Sequence, residues 1–227
     1  MADQSDDLHI QKIRPLTQKQ EKRLVDYLEE EFLQITRGYK KRSEPTTHLP
    51  TLDDYLQASQ KILAMILRIP PVDPSTSLRT QVLLRLTNDV LSSAPGYPPT
   101  PENLVLALDW LDDLDQAWVS VLQTQTWDPE EGVGVDLVID AEDAANGLKS
   151  TGPSQTERTR LKSLLIGGVA TLEEWVEGRT VEEFDGETSN ESVRDVEGLL
   201  KELGLQEDFD NLFSRSLDEL RDVGGYE

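Results

Sequence analysis

The chain contains no cysteine. That excludes disulfides, thiolate nucleophiles and zinc–thiolate centres, and it fits a reducing compartment. Histidine is nearly missing as well, with only His9 and His48. Both fall in segments predicted to be loops. Neither has the paired spacing of a zinc hydrolase, and no nucleophile-elbow pattern offers them a serine. Gly132-Val133-Gly134 lacks the third glycine of a phosphate loop and follows no convincing strand. No apolar run approaches the roughly 20 residues of a membrane span. The opening residues Met1-Ala2-Asp3-Gln4-Ser5-Asp6-Asp7 are acidic and polar, unlike a signal or transit peptide. Together these absences lead us to expect a cytoplasmic or nuclear protein without cofactor or metal.

Positive charge is lacking in one half only. Residues 1–100 carry 13 Lys/Arg and 13 Asp/Glu, whereas residues 101–227 carry 9 and 31, so the net charge of −22 comes wholly from the second half. Direct nucleic-acid binding is disfavoured, because phosphate neutralisation needs clustered Lys and Arg, and anionic membranes are disfavoured on the same ground. The one basic cluster, Arg37, Lys40, Lys41 and Arg42, suits a helix C-terminus, where cations complement the dipole. A hydrophobic content of 37% is low for a fully compact domain of 227 residues, so acidic disordered segments are expected beside a real core.

What is present is helical periodicity. Residues 1–15 read as a flexible arm. Thr17 with Gln20 forms a capping box, followed by Leu24, Leu28, Phe32 and Ile35 at helical spacing, with Gly38 as a C-cap. Thr51 opens a second helix along Leu52, Tyr55, Leu56, Ser59, Ile62, Leu63 and Ile66, ended by Pro70-Pro71. A third helix is expected over 75–91 with Leu78, Val82, Leu86 and Val90 inward. Thr100-Pro101 caps a fourth, carrying Leu104, Leu108, Leu111, Leu114, Trp118 and Leu122 and expected to end near Pro129. Residues 130–156 read as a long mobile acidic loop, in which a strand over 133–139 has nothing evident to pair with. A fifth helix follows to about 176, with Gly167-Gly168 allowing close helix packing. Residues 177–191 form an acidic linker, Ser192 and Asp195 start a short helix stopped by Gly204, and a last helix spans 207–223. The fold class is all-α: an irregular bundle of about five amphipathic helices over 16–176, with a C-terminal helical pair over 192–227.

Three clusters could carry function. Asp109-Trp110-Leu111-Asp112-Asp113, with Asp115 close by, puts Asp109, Asp112 and Asp113 on one helix face, able to present carboxylates to Mg²⁺. All-helical isoprenoid-diphosphate enzymes use an Asp-rich helix of this general type, and Asn88-Asp89-Val90-Leu91-Ser92 partly resembles their second metal motif. The order of the two elements is reversed relative to that family, Gly96 stands where its closing acid belongs, and no basic cluster remains to hold a diphosphate. The acids therefore read as a solvated helix face, and a Mg-dependent enzyme is the least favoured alternative. Trp110 lies off the apolar stripe, and an exposed Trp110 among acids would suit a basic, partly apolar peptide. Burial of the central helix on several sides is the competing expectation. The C-terminal Phe209, Leu212 and Phe213 share a face interleaved with Glu207, Asp208 and Asp210, a pattern of groove-docking helices or of simple packing on the bundle.

The function these features favour is a non-catalytic, acidic protein-binding module. It would act as a chaperone or adaptor for a basic partner of the ribosomal-protein or histone type, steered by charge and made specific by apolar anchors. The expected surface comprises Asp109, Trp110, Asp112 and Asp113, the loop acids Glu130, Glu131, Asp140, Glu142 and Asp143, and Phe209, Leu212 and Phe213. A structural subunit held in an assembly by apolar helix faces is the alternative.

Overall fold

Hydroxyl side chains start four of the long helices of the computed structural model, which describes residues 13–182 and 196–221. The Thr17 hydroxyl accepts from the Gln20 backbone N–H, and the Gln20 side chain accepts from that of Thr17, opening α1 (Gln18–Lys40). Thr51 and Asp54 repeat the device for α2 (Leu52–Leu67). Thr100 caps α4 (Pro101–Leu122), with Pro101 in the first turn. Ser154 and Glu157 exchange the same pair of bonds at the start of α6 (Gln155–Glu182). Each box satisfies two N–H groups that a helix start would otherwise orphan. Between them, α3 (Ser75–Ser93) runs into a short 3₁₀ turn, Ala94–Gly96.

The all-α class stands, and α4 is its centre. It packs against α2, α3, a β-hairpin and the C-terminal segment. Leu104, Ala107, Leu108, Trp110, Leu111, Leu114, Ala117, Trp118, Val121 and Leu122 are all buried, a wider band than one amphipathic stripe. A helix apolar on most sides is a helix surrounded by others. The same reason corrects α3. Leu78 and Val82 are only partly covered, while Leu83, Leu84 and Leu91 are buried, because α3 lies between α2 and α6. Gly168 permits that approach: a Cβ there would stand 2.5 Å from Leu91 Cδ1. Gly38 is not a cap. It lies within α1 against Leu49 and His48, and Lys41 caps the helix instead.

Residues 130–156 differ most from expectation. The fourth helix stops at Leu122, well short of Pro129, and Thr124 takes a left-handed conformation, φ 57°. The chain then forms an antiparallel hairpin of β1 (Thr126–Asp128) and β2 (Val133–Val135), with Trp127 opposite Gly134. The strand that lacked a partner pairs with the stretch assigned to the end of the helix. A short helix, α5 (Ala141–Ala145), follows. Beyond it, Lys149 O accepts from Asp73 N–H (2.9 Å), and Thr151 donates to the Asp73 carboxylate through its hydroxyl (2.6 Å) and its N–H (3.2 Å). Against the penalty of burial, the bonds from Thr151 and Thr76 and the Lys149 charge hold the Asp73 carboxyl below its usual value. Side-chain and backbone hydrogen bonds, invisible as periodicity, tie this segment to the bundle.

The fifth helix continues past Val176 to Glu182. The remainder of the expected linker, and the Ser192–Asp195 start, lie outside the described residues, as do the arm up to residue 12 and residues 222–227. The C-terminal segment comprises α7 (Val196–Leu203), α8 (Gln206–Asp210) and α9 (Ser214–Glu219). Gly204 ends α7 at φ 71°, in the left-handed region that favours glycine. Phe213 also takes a left-handed conformation, φ 57°, and splits the single expected last helix into α8 and α9. Among the described residues no helix is long and apolar enough to cross a membrane.

Candidate functional site

The helical register of α4 sets Asp109, Asp112 and Asp113 on one exposed strip beside the buried Leu108 and Leu111. A second wall comes from the C-terminal segment. Asp115, one turn on and only 2% exposed, accepts hydrogen bonds from Arg215 Nε (3.0 Å) and Ser216 N–H (2.9 Å). The Ser216 hydroxyl donates to Asp115 O (3.2 Å), and Arg215 also binds the Asp112 carboxylate. Burial works against the Arg215 charge, but Asp115 and Asp112 outweigh it and hold the guanidinium above its usual value. This anchor sets α9 on α4 and brings α8 across from the acidic strip.

Between the two walls lies a cavity of about 600 Å³. Asp109, Asp112 and Asp113 line one side, Glu207, Asp208 and Asn211 the other, with Leu108, Leu111, Leu212 and Phe213 beneath. Partial burial, reinforced by Asp112 and Asp109, raises the Asp113 carboxyl above its usual value, although Gln60 donates to it at 3.3 Å. The pocket is an apolar floor under a carboxylate rim.

No protein-family model matches the chain, and no curated protein or solved structure does either. The residues themselves must therefore carry the functional argument.

Two of the three expected clusters meet in this cavity. Asp109, Asp112 and Asp113 serve in it as rim. Leu212 and Phe213 serve as floor, yet they are 8% and 1% exposed, so they are part of the core and not projecting anchors. Phe209, 7% exposed, packs in the same core and does not line the cavity. The left-handed Phe213 removes the single helix on which the three were to share a face.

Of the two expectations for Trp110, burial is the one the structure shows, so Trp110 leaves the expected surface. At 6% exposure it belongs to the core, because α4 is covered on the side where Trp110 projects. Its indole N–H has no hydrogen-bond partner among the described residues. Trp118 and Trp175, by contrast, donate to Thr87 Oγ1 (2.9 Å) and Tyr97 O (2.8 Å). The acids of 130–156 do not reach the cavity. Glu130 and Glu131 form the hairpin turn, their N–H groups donating to Asp128. Asp140 precedes α5, whose first turn holds Glu142 and Asp143.

Arg215 escaped the sequence reading, and Glu207, Asp208 and the buried Asp115 were noted there only as neighbours of the expected surface. Arg215 left a signal, since an isolated cation in so acidic a half invites an ion pair. Asp115 also left one, falling out of phase with Asp109, Asp112 and Asp113 and in phase with Leu108 and Leu111. Among the described residues no three His, Asp or Glu side chains converge closely enough to hold a metal ion.

Proposed function

We propose that the chain is a non-catalytic protein-binding module whose cavity between α4 and the C-terminal segment receives a basic, partly apolar segment of a partner protein. The observation that carries this reading is the pairing of five rim carboxylates, Asp109, Asp112, Asp113, Glu207 and Asp208, with a floor of leucine and phenylalanine. Lys and Arg are amphipathic in the complementary sense, with apolar stems and charged tips, so their stems suit the floor and their tips the rim. Arg215 already engages Asp112 at one edge, leaving Asp109, Asp113, Glu207 and Asp208 to face an incoming cation. The net charge of −22 adds long-range steering of basic partners. Arg- and Lys-rich partners of the ribosomal-protein or histone type present this chemistry, which is the basis for a chaperone or adaptor role.

The test is titration of a labelled peptide alternating arginine and leucine, read by fluorescence anisotropy. Asp109→Asn and Asp113→Asn are each expected to weaken binding about tenfold, the loss of one charge-assisted contact. Affinity should fall as salt rises. An unchanged affinity in the Asp109→Asn/Asp113→Asn double variant would sink the proposal.

A further inference from the structure

A second cavity, of about 460 Å³, opens where the segment preceding α1 crosses the end of α2 and the hairpin. Its walls are Ile13, Ile69, Pro70 and Pro71, with Trp127 across from them, and Arg14 and Arg68 are its charged groups. Among the described residues no carboxylate lines it. Both arginines are exposed, and neither side chain has an ion pair or hydrogen bond among the described residues, in a chain with twice as many acids as bases. Trp127 is only half-buried, whereas Trp110, Trp118 and Trp175 are all in the core.

The groove walls are fixed before any ligand arrives. Leu16 N–H donates to Ser75 Oγ (2.9 Å), holding the segment that carries Ile13 and Arg14. Arg79 donates to Gln125 O (2.7 Å) and Thr126 Oγ1 to Val135 O (3.0 Å), holding the strand that carries Trp127. Preformed walls spare a ligand the cost of ordering them. The size lies within the usual range of ligand pockets, roughly 300–1,000 Å³.

We infer that this groove docks an acidic, aliphatic-bearing peptide segment of a partner protein, its carboxylates on Arg14 and Arg68 and its apolar side chain against Trp127 and the proline wall. Charge complementarity selects the occupant. The groove is the reverse of the acidic cavity, so the two select opposite ligands, and this inference stands whether or not the first cavity binds basic segments.

Trp127 is the reporter, because an added ligand meets it before the three buried tryptophans. A short synthetic peptide in which aspartates flank two leucines is titrated into the full chain, alongside its asparagine and lysine counterparts. The aspartate peptide should change tryptophan emission saturably, and the Trp127→Phe variant should lose that response. The asparagine peptide should bind about tenfold more weakly, and Arg14→Gln/Arg68→Gln should reduce the aspartate peptide to the same level. Both arginines are exposed, so this variant keeps the fold, which circular dichroism verifies. Equal binding of aspartate and asparagine peptides, or full binding by the double arginine variant, would overturn the inference. So would a concentration-dependent dimer that the same variant abolishes, which assigns the groove to a second copy. Binding that appears only when residues 1–12 are deleted would assign it to the chain's own N-terminal arm, and would overturn it equally.

Discussion

At the scale of single residues, Asp113 carries the clearest conflict between fold and function. Its carboxyl is raised by partial burial and by Asp112 and Asp109, so its negative charge opposes folding at neutral pH. A carboxyl raised in the folded state binds more protons there than in the unfolded chain. Stability is therefore lost as pH rises from the ordinary value of 3.8 through the folded one, and the penalty is complete above it. Asp113→Asn should raise the Tm at pH 7, and that gain should vanish below the ordinary carboxyl value. Because the side chain keeps contact with water, screening limits the gain to about 0.3–0.5 kcal/mol, or about 1 °C. The same variant should weaken the basic peptide. A stabilising change that removes binding is the mark of a charge kept for its ligand. Thermal melts from pH 3 to 7 decide the matter, and destabilisation at pH 7 would make Asp113 a structural acceptor for Gln60. Trp110 offers a parallel contrast. Since its indole N–H is unpaired among the described residues, Trp110→Phe should cost less stability than Trp118→Phe, which removes the buried hydrogen bond that the Thr87 hydroxyl accepts while that hydroxyl goes on donating to Leu83 O.

At the scale of elements, the C-terminal segment is held on α4 by a polar clasp and not by apolar packing alone. Asp115 is almost fully buried and serves Arg215 and Ser216 together. Asp115→Ala removes a charge-assisted pair and leaves the Ser216 N–H unsatisfied, a loss of about 2–4 kcal/mol. Arg215→Met should cost a comparable amount, because it leaves the buried Asp115 carboxylate with the Ser216 N–H but without a counter-ion. Hydrogen exchange should show the Asp115→Ala loss first in residues 206–219, and uniform loss across the chain would mean that the clasp is not local. The elements also divide by how far they could be read in sequence. Helices opened by a threonine cap were legible, since Thr17–Gln20, Thr51–Asp54 and Thr100–Pro101 are local signals followed by a clear period. The hairpin was not, because Thr126–Asp128 carries no strand pattern of its own and pairs only through the left-handed Thr124. Residues 147–153 gave no signal either, since Lys149 and Thr151 are held by Asp73 more than 70 residues earlier. The break at Phe213 was hidden in the same way, since a left-handed aromatic residue has no mark in the pattern. The candidate site was half legible: α4 contributes a periodic face, but the opposing wall depends on a tertiary ion pair.

At the scale of the whole molecule, the charge that defines the second half must also be carried by the folded state. A net −22 opposes compaction through self-repulsion, and salt relaxes that repulsion, with a screening length of about 10 Å at 0.1 M. The opposing effect is small. Surface pairs such as Arg85–Glu29 (2.5 Å) and Lys149–Asp73 (3.8 Å) weaken with salt, but exposed pairs contribute only about 0–1 kcal/mol each. The Tm should therefore rise between low salt and about 0.5 M NaCl, where most exposed charges are screened. Mild acidification should act in the same direction for the raised carboxyls Asp89 and Asp113, which regain stability as pH falls through their folded values. Asp73 runs the other way: its carboxyl is lowered, so its contribution is present above the ordinary value and is lost as pH falls through the folded one. Stability should consequently peak in mildly acidic solution, below neutrality and above the acid range in which Asp73 protonates. Binding of a basic peptide should weaken over the same salt range that strengthens the fold, because screening removes its steering and its ion pairs alike. Melts and titrations on one salt series measure both slopes. If fold and basic-peptide affinity moved together with salt, the acidic half would be acting through its apolar floor rather than its charge.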